Sequence, residues 1–183
     1  MEIKKILVPV DGSDASKRAF KMAVDVAKVH GAELVVTCIA DVSEAAYPIM
    51  GVTLDKYGFI NIKTKAEKLL AALKEEIPIE LDYEEIVETG VPGAGIAEIV
   101  EQQGIDMVVI GNSGKGAVSS FVMGSVSQYV IHHVKCPVLV VKYNNKRGCE
   151  ITIISFSRSI CRGGTCSSHR SDRETLSQLS FMP

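Results

Sequence analysis

What this chain lacks narrows its function before any motif is considered. It has little net charge, −2 over 183 residues, so bulk electrostatics give no reason to expect nucleic acid or an anionic membrane as partner. It has no long hydrophobic run. Stretches such as Met107 to Ile110 and Val138 to Val141 are far too short to span a bilayer. It shows no secretory leader, because the apolar run after Lys5 is short and meets Asp11 at once, so the expected location is the cytoplasm. Cysteines are few: five, an odd number in no regular framework, which argues against a disulfide scaffold. Cys38 and Cys136 stand in apolar surroundings and read as small core residues. Cys161, Cys166 and His169, with Cys149 upstream, have spacings that match no common zinc module, so no metal site is expected among them.

What is present is the composition of an ordinary globule, 46% hydrophobic and 23% charged. A chain of this length buries roughly two-thirds of its unfolded surface and needs no staples. Ile3 to Val10 reads as a buried strand running into the turn Asp11-Gly12. Ser13 or Asp14 can cap a helix whose stripe is Ala19, Met22, Ala23, Val26 and Ala27, stopped by Gly31. Glu33 to Ala40 is a second strand. Ser43 to Asn61 has no clean period and contains Pro48, Gly51 and Gly58, so a long loop, a candidate lid, is expected there. Helix follows from Lys63 to Pro78, on the stripe Ala66, Leu69, Leu70, Leu73 and Ile77. Ile79, Leu81 and Tyr83 alternate into a third strand, and Gly90-Val91-Pro92-Gly93 reads as a turn. A short helix ends at Gly104, and Met107 to Ile110 is a fourth strand. A helix beginning near Ser119 to Gly124 runs to His133 or Val134, where adjacent His132 and His133 point apart and share no metal. Val138 to Lys142 is the last strand.

Five strands alternating with helices predict an α/β fold: a doubly wound parallel sheet with helices on both faces. Ligands of such sheets lie beyond the carboxyl ends of the strands, here Asp11-Gly12, Ala40-Asp41, Gly90 and Gly111 to Gly116. Beyond Asn144 the composition changes: five of the six arginines and a crowd of serines lie there, with no period past the short stretch Glu150 to Ile154. Residues 1–142 are thus expected to form the domain, and 143–183 a disordered or non-native tail.

The loop after the fourth strand can present free amides to an anion, with the following helix dipole in support. A tight turn is the plainer use of Gly111 and Gly114. The loop is not a Walker A motif. Gly93-Ala94-Gly95 lacks the third glycine of the dinucleotide fingerprint, with Glu98 in its place, and reads as a turn.

Gly111-x2-Gly114-x9-Gly124-Ser125 resembles the nucleotide-binding signature of the universal stress proteins. So do the opening Lys4 to Ser13, the Gly90-Val91-Pro92 turn, the Val109 to Gly114 stretch and the closing Cys136-Pro137-Val138-Leu139-Val140-Val141. The resemblance covers residues 1–142 and implies strand order 3-2-1-4-5. It further implies an ATP-binding stress-response protein, with Mg2+ or Mn2+ as companion. Asp11 would contact the ribose and adenine side, and Ile39 would offer adenine its backbone. Gly111 and Gly114 would lie along ribose and phosphates, and Gly124 and Ser125 would hold the phosphates. Pro9, Val10, Lys115 and Val126 complete the expected site. A helix cap remains the alternative for Asp11. The family also implies homodimers through the last strand, Val138–Val141. A slow ATPase, a nucleotidyl-transfer relative, or a binder of another adenine ligand such as a cyclic nucleotide are the alternatives. Lys115 is the one nearby cation, and no arginine stands near the loop to assist phosphoryl transfer, so any hydrolysis is expected to be slow.

Overall fold

The computed structural model describes residues 2–42, 56–114, 123–144 and 148–154. Strand and helix alternate through β1 (Lys5–Pro9), α1 (Asp14–His30), β2 (Glu33–Asp41), α2 (Lys56–Lys74), β3 (Tyr83–Gly90), α3 (Pro92–Gln103), β4 (Met107–Gly111), α4 (Ser125–His133) and β5 (Val138–Asn144). A further strand, β6 (Gly148–Ile154), follows. The first five strands are parallel and lie in the expected order 3-2-1-4-5. β6 joins antiparallel outside β5.

The core divides by the two-residue period of the strands. Ile6, Val8, Leu34, Val36, Cys38, Val109, Leu139 and Val141 face one way, against Ala19, Phe20, Ala23, Ala66 and Leu70 of α1 and α2. Leu7, Val35, Val108, Ile110, Val138 and Val140 face the other, against α3 and α4 through Ile96, Ile99, Val130 and Ile131. Both faces are apolar because both are covered. Thr37 is the exception inside β2: it is fully buried, and its hydroxyl donates to the Ile86 carbonyl at 3.1 Å, which offsets its desolvation.

The helix punctuation follows from the residues. Ser13 caps α1, its hydroxyl oxygen accepting from the Ser16 amide at 3.2 Å. Gly31 ends the helix at φ 63°, a left-handed turn that favours glycine. Pro92 occupies the start of α3, where its missing N–H costs nothing.

Four expectations are corrected. The irregular loop does not extend to Asn61, because α2 begins at Lys56 and carries Gly58 within it. The remainder of that expected lid, 43–55, lies outside the described residues. Ile79 and Leu81 belong not to a strand but to a turn, closed by the Leu81 amide on the Pro78 carbonyl at 3.0 Å, and Ile79 is fully exposed. Gly93 and Gly95 lie inside α3 rather than in a turn, and a Cβ on Gly93 would meet the Tyr129 ring of α4 at 2.9 Å. The segment after residue 142 is not wholly irregular, since Gly148–Ile154 forms β6 and takes the outer edge of β5. The edge expected to pair with a second copy is therefore occupied by the chain itself.

Burial pushes the Cys136 thiol up to about 11, with Asp106 adding to it. The unfolded thiol ionises from about 9 upward while the folded one keeps its proton, so this group costs stability as pH rises from about 9 to about 11. The urea midpoint of the protein is therefore expected to fall more steeply between pH 8.5 and 10.5 than that of Cys136→Ala; parallel curves would show that the buried thiol carries no such linkage.

Candidate functional site

Winding reverses between β1 and β4. From β1 the chain passes through α1 to β2, and from β4 through α4 to β5, on the opposite side. The loops leaving β1 and β4 therefore diverge, and a cleft opens above their carboxyl ends. Its volume is about 870 Å³, within the range of small-molecule sites. Of the ten residues expected from the sequence, nine line it: Pro9, Val10, Asp11, Ile39, Gly111, Gly114, Gly124, Ser125 and Val126. Lys115 lies outside the described residues.

The wall from β1 is a locked turn. One carboxylate oxygen of Asp11 accepts from the Ser13 amide at 2.9 Å. The Ser16 hydroxyl donates to the Ser13 carbonyl at 2.9 Å and lies 3.3 Å from the Asp11 amide, as its acceptor. Asp11 thus braces the start of α1 and lines the cleft as well, so its two readings coexist in one side chain. Gly12 between them takes φ 83°.

The wall from β4 is a loop closed at its neck. The Gly124 amide donates to the Asn112 carbonyl at 2.8 Å, and the Asn112 amide to the Val141 carbonyl at 3.1 Å. The buried Ser127 hydroxyl donates to the Gly111 carbonyl at 2.7 Å, tying α4 to the end of β4. The glycines of this loop are not there for a left-handed backbone. Gly111, Gly114 and Gly124 all lack a positive φ. Close approach is the reason: a Cβ on Gly111 would lie 2.8 Å from the Ala15 carbonyl carbon, and one on Gly114 2.8 Å from Asp11 Oδ2. Gly124 is the N-cap of α4 and has no side chain to cap it, so the cap position blocks nothing above the first-turn amides.

Sequence reasoning missed the third wall. Ile62, Ala66 and Leu69 of α2 line the cleft, and so does the exposed Lys65. The stripe was legible, but it read only as core. Nothing in the spacing says that the first turns of α2 overhang the end of β2. Lys65 joins Asp11 and Asp41 as a charged residue at the cleft among the described residues. Cys38, buried in β2, reaches the same wall. Among the described residues no three His, Cys, Asp or Glu side chains gather as a metal site. Nor is any described helix long and apolar enough to cross a membrane.

The two glycines make different demands. Gly111→Ala drives a methyl into the backbone of α1 and is expected to cost about 1–3 kcal/mol of stability by overpacking. Gly114→Ala meets only the tip of a side chain and is expected to cost less than about 1 kcal/mol. Urea unfolding of both variants checks the order; equal losses would mean that Gly111 does not hold the sheet against α1.

Comparison with known proteins now adds to the geometry. The model of the Universal stress protein family matches residues 2–142. A universal stress protein of Methanocaldococcus jannaschii is 35% identical over 150 residues, covering 78% of this chain and 84% of that protein. A putative universal stress protein of Staphylococcus haemolyticus is 34% identical over 143 residues, covering 76% and 84%. Among solved structures, the universal stress protein UspA from Lactobacillus plantarum superposes with TM-score 0.66 at 28% identity, over 76% of this chain and 98% of that one. A universal stress protein in complex with cAMP superposes with TM-score 0.51 at 26% identity, over 78% and 98%. With a doubly wound sheet in the order 3-2-1-4-5, a glycine loop at the winding reversal and a family match over 2–142, this chain belongs to the universal stress protein family.

Proposed function

We propose that this chain is an adenine-nucleotide-binding regulatory protein of the stress response, working in the cytoplasm, with ATP as its ligand. The observation that carries the reading is the convergence of Asp11, Ile39, Gly111, Gly114, Gly124 and Ser125 on one cleft at the winding reversal. An adenine ring fits the apolar side formed by Val10 and Ile39, where the backbone of Ile39 supplies hydrogen bonds. Asp11 faces the ribose, Gly111 and Gly114 admit the sugar and phosphates closely, and the start of α4 receives the phosphates through backbone amides and the Ser125 hydroxyl. The relative in complex with cAMP supports an adenine nucleotide on this fold, and it makes a cyclic nucleotide the second ligand to test.

Charge sets the terms of binding. Among the described residues Lys65 is the one cation that lines the cleft, so backbone amides and a divalent ion carry most of the neutralisation of a polyphosphate. Mg2+ keeps most of its waters and needs only one or two carboxylates beside the phosphates, a role open to Asp11. Lys115 remains the nearest cation in sequence, and Lys65 stands on the α2 wall. No arginine or histidine is among the described lining residues, so the reading is of a binder with at most slow hydrolysis. Pairing of two copies through Val138–Val141 belongs to this reading only for a chain whose β6 has left the β5 edge.

Calorimetric titration of nucleotide-free protein with ATP and magnesium tests the proposal, with AMP and cAMP in parallel. One-to-one binding in the micromolar range, about −8 kcal/mol, is expected. Absence of heat at several temperatures from folded protein would overturn it. Ser125→Glu separates ligand from architecture. A carboxylate in the first turn of α4 suits the helix dipole and is expected to leave thermal stability unchanged or slightly raised. The same charge is expected to repel the phosphates and weaken ATP at least tenfold, about 1.4 kcal/mol. Unchanged affinity would move the phosphates away from α4.

A further inference from the structure

At the end of the sheet opposite β6, β3 pairs with β2 over its whole length, from Leu34↔Tyr83 to Asp41↔Gly90, and no described strand pairs with its outer side. The ladder fixes which groups face outward. Leu34 stands opposite Tyr83, and its amide donates to the Asp82 carbonyl at 2.9 Å. Parallel pairing then sends the amides of Glu84, Ile86 and Glu88 inward and leaves those of Glu85, Val87 and Thr89 on the outer edge. No other described backbone carbonyl accepts from these three. The edge is also acidic: Glu75 to Glu88 carries seven carboxylates and no lysine or arginine. Within β3 the two-residue period sorts them by face. Tyr83 and Val87 pack with the core under α1 and α2, so Glu85 shares that face, where Lys74 lies over the Tyr83 ring at 5.9 Å. Ile86 packs with the core under α3 and α4, so Glu84 and Glu88 flank it there. Among the described residues their one ion pair is with Lys5, which lies 3.9 Å from Glu84 and 3.2 Å from Glu33. That face therefore reads carboxylate, apolar, carboxylate, with an excess of negative charge.

We propose that the outer edge of β3 is a docking site for an extended, basic segment of another protein, which joins the sheet as a further strand with Lys or Arg opposite Glu84 and Glu88 and an apolar residue opposite Ile86. Main-chain bonds to Glu85, Val87 and Thr89 supply the pairing, and alternate side chains supply the choice of partner. A second copy of this chain does not fit. Laid antiparallel and centred on Ile86, an identical strand sets Glu84 against Glu88 twice, and like charges directly opposite destabilise a pair. Carboxylates that guard the edge against its own kind leave it open to a strand of the opposite sign. This inference does not depend on nucleotide binding, and its test does not involve a nucleotide.

Two capped peptides test it on the full chain, with amide hydrogen exchange followed by NMR: acetyl-Thr-Lys-Thr-Val-Thr-Lys-Thr-amide, and its twin with Glu in place of both Lys. The lysine peptide is expected to slow exchange at the amides of Glu85, Val87 and Thr89, and to bind at least about tenfold more tightly than its twin. In Glu84→Lys/Glu88→Lys the order of the two peptides is expected to reverse, because the sign of the face has been exchanged. Should that variant not fold, the two peptides on the unaltered chain decide, since their comparison needs no substitution. Equal affinity for both overturns the proposal. So does a lysine peptide that leaves the three amides unchanged at millimolar concentration, which would mean that the glutamates only keep the edge bare. Protection of those amides in the chain alone also overturns it, because the edge would then be taken already, by the chain itself or by a second copy.

Discussion

β1 has neither a free edge nor a free face. It pairs with β2 on one side and β4 on the other, and Ile6 and Val8 are buried on one face while Leu7 is buried on the other. A strand so enclosed can be reached and left only over the two faces of the sheet. The chain therefore covers one face with α1 and α2 and the other with α3 and α4, and reverses its winding around β1. The cleft is the geometric residue of that reversal. It exists because the loops after β1 and β4 turn to opposite faces, so the apolar demand of the sheet creates the cleft without any residue being devoted to making it.

What the local residues then do is fix how close the walls may come. The turn Asp11 to Ser16 is held by side-chain oxygens on its own amides and carbonyls, so it is rigid without burying charge. Gly111 lets the end of β4 lie against Ala15, and Ser127 anchors the following helix to the Gly111 carbonyl. Among the described residues, Asp11, Asp41 and Lys65 are the charged ones that line the cleft, and the start of α4 borders it through Gly124, Ser125 and Val126. A cleft walled in this way is preorganised by packing, its shape set by backbone and glycine positions more than by paired charges.

Much of this was legible in the residues, for reasons that can be named. Strands buried on both faces give continuous apolar runs, and Ser13, Gly31 and Gly104 mark helix ends through local chemistry, so the order of elements and the edge that bears the site followed directly. Less legible was whatever depends on how elements meet. Ile79 and Leu81 alternate like a strand, yet β3 is a partly buried sheet edge that starts only at Tyr83. Gly58 looked like a breaker but is carried inside a nineteen-residue helix. The α2 wall of the cleft has no signature, because Ile62, Ala66 and Leu69 repeat like any core stripe. The strand β6 was visible only as a short apolar stretch in a segment of otherwise different composition.

The neck of the glycine loop has a further meaning for how such a protein can change over generations. Asn112 and Gly124 are joined by one backbone hydrogen bond, which holds the two ends of the segment between them together. Lengthening a segment whose ends are already held together is cheap, about 0.6 kcal/mol for each doubling. Insertions there leave the packing of Gly111 on Ala15 and the anchoring of α4 untouched. Descendants of one sequence can therefore exchange the whole interior of the loop while the scaffold that carries it stays the same.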